Sequence, residues 1–438
     1  MSQTDVTANA EALRARANLG MSEFIALCAA LAAVAAMSID IVLPALPAIG
    51  SAFGVANEND RQLVILIFTA TFAVSQLFYG PLSDRFGRKP LITFGLGLYL
   101  AGSVAAMFVT SFNGLLAMRV VQGVGTAALQ VVTLAMVRDC FSGPSMGRVM
   151  TFVFTTFMIV PIIAPTLGQQ IEFVTNWKGI FAFNAVAGAL ILLWMATRLK
   201  ETLRPEDRRS LAFGSLASAF KEIVTNRVTA GYAVASTLTL VGLFSYVICV
   251  QQVYGELYGL GHLFPYAFGA SAIGVAAAAL FSARLVRRLG MRPVAHGALS
   301  IFTASGLVLF LMSLGGNPPF WVTFGLLSIC MMAFGVVQGN IGAIALEPLG
   351  HIAGTASSLI GVVTLTIANI LAGIVGQAYD GTVVPLAIAF GIGGLAATVA
   401  VIWTERGRVF RNTVVATSQN AFIDVSLILT GQASNLDS

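Results

Sequence analysis

Apolar residues run along this chain in long blocks, each broken by a short cluster of charge, glycine or proline. The blocks predict twelve helices, at approximately 23–49, 62–82, 91–111, 113–139, 147–171, 179–199, 229–256, 263–285, 293–314, 318–346, 352–377 and 382–404. About twenty apolar residues carry a helix across a bilayer. Several blocks are longer, which permits tilt. One interruption is long: residues 200–228 hold Lys200, Arg204, Arg208, Arg209, Lys221 and Arg227 among mixed charges. It divides the chain into a polar segment 1–22, a six-helix bundle 23–199, a central loop 200–228, a second bundle 229–404 and a tail 405–438.

Composition agrees. The chain has 438 residues, of which 57% are hydrophobic and only 10% charged. Soluble domains carry about 25% charged residues, so this surface could not be covered by polar groups in water. The 44 glycines suit helices that pack closely in lipid through small residues. The fold class expected is an all-α membrane protein. The first apolar run is too long and too weakly cleavable for a signal peptide and is taken as a retained helix. The tail is mostly polar, with one apolar patch at Phe422 to Leu429, and is expected to be disordered or loosely surface-bound.

Charge sets the orientation. With the N-terminus inside, 21 of the 24 lysines and arginines fall on the cytoplasmic side, Arg14, Arg16 and Arg411 among them. Arg61 and Lys178 fall outside, and Arg119 lies within a span. Such a bias places both termini in the cytoplasm. The net charge of +5 reflects this asymmetry. No basic stripe with interleaved aromatics argues for nucleic acid.

Two ionisable residues stand out inside predicted spans, where a charge is costly and marks function. Asp40 sits well past the midpoint of span 1, and Arg119 sits in span 4 about two turns, or roughly 10 Å, from its outer end. Both fall in the outer half of the membrane, at comparable depth, where they can pair or share a water-filled cavity. A lone buried carboxylate near an arginine can take a proton from one side and lose it to the other. The alternative is a static pair that fixes helix packing. Among the neutral candidates Gln122, Gln130, Gln251, Gln252, Gln338, Asn340, Asn369 and Gln377, helix-to-helix bonding is the default. Gln122 and Asn340 are the better candidates for a substrate cavity, with Asp40. Glu23, Glu256 and Glu347 lie near helix ends, where interfacial solvation is expected.

The run Gly80, Pro81, Leu82, Ser83, Asp84, Arg85, Phe86, Gly87, Arg88, Lys89, Pro90 is a charged turn too short to hold a domain. The helices it joins are therefore antiparallel neighbours. A carboxylate there can bond backbone N–H groups at a neighbouring helix N-terminus. Arg85 is placed to bridge to Asp139 at the inner end of span 4. A degraded copy recurs at Leu285 to Pro293, where Arg287 stands in place of Asp84. That repeat points to two related halves.

Other chemistry is not supported. Gly123-Val124-Gly125 follows no strand and is no dinucleotide fingerprint, and there is no Walker loop. Cys28, Cys140, Cys249 and Cys330 are isolated, and His262, His296 and His351 form no metal motif. No cofactor and no metal are expected. A membrane-embedded enzyme would need clustered ionisable groups at matched depth, and only Asp40 and Arg119 qualify.

The pattern G-x-L-x-D-R-x-G-R-K at Gly80–Lys89 closely resembles the signature loop of the major facilitator superfamily of transporters. Arg119-Val120-Val121-Gln122-Gly123-Val124-Gly125 resembles the helix-4 motif whose arginine is implicated in proton coupling. Pro161 to Gly168 looks like the antiporter motif, in which Pro161, Pro165 and Gly168 would bend helix 5. Ser38-Ile39-Asp40, Leu43-Pro44-Ala45-Leu46-Pro47, Lys200-Glu201-Thr202-Leu203 and His351 to Ser358 resemble the bicyclomycin/chloramphenicol-resistance (Bcr/CflA) branch of drug:proton antiporters. Two departures stand out. Val42 replaces the branch's usual tyrosine, and Gly168-Gln169 replaces a usual Gly-Gly.

The resemblance implies two pseudo-symmetric six-helix bundles and alternating access. It implies a bacterial inner-membrane exporter, working as a monomer, that exchanges protons for small amphipathic drugs of amphenicol or bicyclomycin type. Asp40 would carry the proton and Arg119 would sense it. Gly80, Asp84, Arg85, Gly87, Arg88, Lys89 and Asp139 would gate the cytoplasmic side. An exporter of an endogenous metabolite, such as an amino acid or nucleoside, is the alternative on the same fold.

Overall fold

A computed structural model describes residues 17–208 and 213–410. Arg14, Arg16, Arg209, Arg411 and the Phe422–Leu429 patch lie outside the described residues.

Among the described residues twelve membrane spans follow in the expected order. Span 1 comprises Met21–Asp40 and Leu46–Phe53. Spans 2 to 6 are Leu63–Phe86, Arg88–Ala106, Phe112–Cys140, Gly143–Val174 and Trp177–Arg198. Spans 7 to 9 are Arg227–Val250, Phe264–Leu289 and Met291–Ser313. Spans 10 to 12 are Phe320–Leu346, Ala353–Gln377 and Val384–Thr404. Spans 10 and 11 join through a tight turn, Glu347–Ile352, broken at Leu349 (φ −109°, ψ 29°). Among the described residues there is no strand.

Three departures from the expected pattern stand out. Span 1 is not one helix. It stops at Asp40, turns through a 3₁₀ segment Leu43–Ala45 and resumes at Leu46. Pro44 and Pro47 supply no backbone N–H, so the α-helical ladder cannot run through them. Span 7 ends in a π-helical turn, Gln251–Leu257, a form that concentrates at functional sites. The charged run 80–90 is almost wholly helical, with Gly87 alone as its hinge at φ 105° and ψ 159°. Only glycine adopts that backbone readily.

The central loop also carries a helix the apolar pattern missed, Phe213–Thr225. It buries Ala219 and Ile223 against Leu349, Ala356 and Leu359 at the start of span 11.

Within each half the spans pack backbone to backbone through small residues. A Cβ added to Gly95 of span 3 would lie 2.8 Å from the carbonyl of Gly125 in span 4. The halves meet unevenly. Spans 2 and 11 touch at one end, where Thr69 Oγ1 donates to Asn369 Oδ1 at 2.5 Å and Gly373 receives Leu66. At the other end, the one that carries Arg88, a cavity of about 530 Å³ separates them.

Candidate functional site

Asp40 is buried, with 5% of its surface exposed, at the last residue before span 1 breaks. Its carboxylate makes no hydrogen bond or ion pair with any described residue. Sequence reasoning made Arg119 a candidate partner. The structure does not form that pair. Arg119 is fully buried and spends its guanidinium on neutral acceptors: the Val64 carbonyl at 2.8 Å, Gln122 Oε1 at 2.9 Å and the Ser38 carbonyl at 3.1 Å. It also lies 4.2 Å from the ring centre of Phe68, a cation–π contact. Planar and many-toothed, the guanidinium suits such a set of fixed acceptors. Arg119 thus joins span 4 to spans 1 and 2, and grips span 1 two residues before Asp40.

Gly168 of span 5 completes this corner. A Cβ there would collide with the carbonyl of Ile41. The missing side chain lets span 5 press against the break in span 1. Pro161 and Pro165 lie inside the unbroken helix Gly143–Val174, where each removes an intrahelical donor.

The charged run forms a compact cluster at the opposite end of the same half. Arg88 Nε donates to Asp139 Oδ2 at 2.8 Å, and its Nη1 to Asp84 Oδ1 at 2.5 Å and Ser83 Oγ at 2.7 Å. Arg88, rather than the anticipated Arg85, is the arginine seen on Asp139. Arg85 is exposed beside Phe86. Asp84 was expected to cap a helix N-terminus, but Glu201 does so instead. Its carboxylate accepts from the backbone N–H of Arg88 at 2.9 Å and of Lys89 at 3.2 Å, where the helix dipole favours an anion. Lys89 in turn donates to the terminal carbonyls of span 6, Ala196 and Leu199. The N-terminus of span 3 is thereby tied to the C-terminus of span 6.

The far end is closed by bonds between the halves. Arg61 Nη1 lies 3.0 Å from Glu256 Oε1. Asn59 Nδ2 donates to the Tyr379 carbonyl at 2.7 Å, and Gln377 Nε2 to the Asn59 carbonyl at 3.1 Å. Gln62 and Gln252 also bond across the gap. The π-turn of span 7 carries two of these partners, Gln252 and Glu256. At the Arg88 end the halves stand apart. The cavity between them is walled by Gln76 and Asp84 of span 2, Arg88, Gln130 and Arg138 of spans 3 and 4, and Ser358 of span 11. Gly80 also lines it.

A family model described as the Major Facilitator Superfamily matches residues 28–373. The chain belongs to the major facilitator superfamily. It is 30% identical over 357 residues to a bicyclomycin resistance protein homolog of Haemophilus influenzae, covering 81% of this chain and 88% of that one. It is 27% identical over 328 residues to multidrug resistance protein MdtL of Shewanella oneidensis, covering 74% and 81% respectively. A solved peptide transporter, POT in complex with sulfate, superposes with a TM-score of 0.70 at 17% identity, over 87% of this chain and 93% of that one. That likeness shows the fold. The protein is a multi-pass membrane transporter of two pseudo-symmetric six-helix bundles.

As a superfamily transporter it holds two of its anticipated cavity residues elsewhere. Gln122 is fully buried and occupied by Arg119 and by Ser103 Oγ at 2.8 Å. Asn340 donates to Ser282 Oγ at 3.0 Å and to the Val336 carbonyl. Both bond helix to helix and neither lines the 530 Å³ cavity. The glutamates assigned to interfacial solvent are all paired: Glu23 with Arg198, Glu256 with Arg61, and Glu347 with Arg292. Gln76, Arg138 and the start of span 11 were missed as lining. The one signal for them was polar or small residues on the inner turns of spans that also carry the charged run.

Proposed function

We propose that this transporter exports small amphipathic drugs from the cytoplasm of a bacterium in exchange for protons, by alternating access. The observation that carries the coupling role is the Asp40 carboxylate, buried beside a helix break with no partner among the described residues. A charge held there without compensation is costly, so binding and release of a proton shift the energy of that corner sharply. Because the helix breaks at the next residues, such a shift can move span 1 against span 5 at Gly168. The arrangement gives one half-cycle: closed at the Asn59–Gln377 end, accessible at the Arg88 end.

The basic bias of the Arg88 end supports a cytoplasmic assignment for that end in the inner membrane. The Arg88–Asp84–Asp139 cluster would then latch the opposite, outward-facing state. Cavity and clusters are all built within one chain, which supports a monomer as the working unit. The resistance proteins named above support a drug-like substrate, with bicyclomycin and amphenicols as the first compounds to test.

The decisive experiment is drug-induced proton release from purified protein in detergent, with chloramphenicol, florfenicol and bicyclomycin, in wild type and Asp40→Asn. Release that vanishes in the variant is the expected result. Release that persists removes Asp40 from the coupling role. No release with any compound favours export of a metabolite or another coupling ion.

A further inference from the structure

Two primary amides in the cavity wall make no hydrogen bond to any described residue. Gln76 of span 2 and Gln130 of span 4 both line the 530 Å³ space. Gln76 Nε2 and Gln130 Oε1 are shielded from bulk water and have no partner. Each amide offers two donors and one acceptor. A buried polar group left unpaired costs about 1–3 kcal/mol, so two on facing helices call for an occupant. By contrast Gln122, Gln338 and Asn340 are committed to Ser103, Ser236 and Ser282. The last torsion of a glutamine side chain is soft, so either amide can turn toward the space its residue lines.

The rest of the lining narrows the chemistry. The carboxylate in the wall, Asp84, is held by Arg88, and the exposed Arg138 adds positive charge at the rim. An organic cation finds no free anion there. The opposite wall, at the start of span 11, offers the hydroxyls of Thr355, Ser357 and Ser358 among Gly354 and Gly361. Depth matters as well. Gln76 is about 12 Å from Asp84 along its helix and Gln130 about 14 Å from Asp139. Asp40 is about 28 Å along span 1 from Met21, so a solute from the Arg88 end meets the amides first.

We propose that Gln76 and Gln130 form a vestibule subsite for uncharged solutes that carry amide or hydroxyl groups on an apolar body. The proposal rests on the export reading, which makes the Arg88 end the loading side.

The test is equilibrium binding to purified full-length protein of chloramphenicol, a neutral amide-bearing diol, and of tetraphenylphosphonium, a lipophilic cation. Gln76→Leu and Gln130→Leu are compared with wild type, with proton release and melting temperature measured on the same samples. Each variant should bind chloramphenicol about tenfold more weakly, as expected for one lost hydrogen bond. Binding of the cation and proton release per bound chloramphenicol should hold, and the melting temperature without ligand should stay level or rise, because the unpaired amide is gone. Unchanged chloramphenicol affinity in both variants, with release intact, overturns the subsite and leaves the export reading standing. A wild type that prefers the cation also overturns the subsite. A wild type that binds neither compound and releases no proton overturns both readings.

Discussion

Arg88 and Arg292 occupy equivalent turns in the two halves, and two carboxylates grip each of them. The turns share one backbone solution: Gly87 at φ 105°, ψ 159° and Gly290 at φ 86°, ψ 163°. The carboxylates come from different places. Arg88 is held by Asp84 on its own run and Asp139 at the end of span 4. Arg292 is held by Glu347 after span 10, at 2.7 Å, and Glu405 after span 12, at 3.1 Å. Glu405 further accepts from the Tyr232 hydroxyl at 2.7 Å. Although Arg287 stands where the first copy has Asp84, the second turn keeps a two-acid cluster, with one acid supplied by Glu405 just after span 12. The consequence is mechanical. Asp84 and Arg88 border the gap between the halves, where contact can be made and broken as the gap closes. Glu347, Glu405 and Tyr232 tie spans 7, 9, 10 and 12 inside one half, a brace that need not move.

The halves differ equally in their interiors. Asp40 and Arg119 are the charged groups buried deep in the first half, whereas the deep polar groups of the second are neutral. The sharpest way to break this contrast is Asp40→Asn. Drug accumulation in everted vesicles driven by a pH gradient should fall to background, while counterflow without a gradient persists. Asn369→Leu, at similar depth in the second half, should retain most of the gradient-driven accumulation. Equal losses would show that polarity at that depth, and not a titrating group, is what the mechanism needs.

Arg119→Leu comes next. It strips the donor from Val64, Ser38 and Gln122 together, and hydrogen bonds from a charged donor contribute about 1.5–3 kcal/mol each. A fall in melting temperature of several degrees is expected in detergent, with Arg119→Lys intermediate because it keeps the charge and loses the fork. An unchanged melting temperature with lost proton release would recast Arg119 as a coupling group alone.

Much of this was readable in the residues, and the part that was not has a common cause. Span count, order and the six-plus-six division follow from apolar run length, because lipid demands unbroken helices of fixed length. The charged run at 80–90 and the deep Asp40 stand out because charge is rare in such a chain. Which acid meets which arginine was not readable. Arg85 and Arg88 differ by less than one helical turn, and the choice depends on Gly87 turning span 3 back toward Asp139. Glu201 was inconspicuous for the same reason: its partners are backbone N–H groups, which carry no side-chain signature. The break after Asp40 was legible in Pro44 and Pro47 and was overlooked because the apolar run continues through them.

Asp84→Ala should slow turnover about tenfold, roughly 1.4 kcal/mol in the activation barrier, with substrate affinity little changed. Normal turnover would reduce the run to a topological signal.

The smallest effect separates latch from brace. Glu405→Gln keeps the shape of the side chain and an acceptor for Tyr232 but removes the charge facing Arg292. Glu347 remains on the same guanidinium at 2.7 Å, so the site stays partly compensated. The Arg292–Glu405 pair is largely shielded, with 15% and 17% of the two side chains exposed. But Glu347 still compensates the guanidinium and the amide oxygen still accepts from it, so the loss is held to about 1 kcal/mol. The melting temperature should therefore drop by only a degree or two, and turnover should stay within about twofold of wild type, a change under 0.5 kcal/mol in the barrier. If Glu405→Gln instead slowed turnover as much as Asp84→Ala, the second cluster would also open and close during transport. The two halves would then gate symmetrically, and the placement of the acid after span 12 would be a difference of residue without a difference of role.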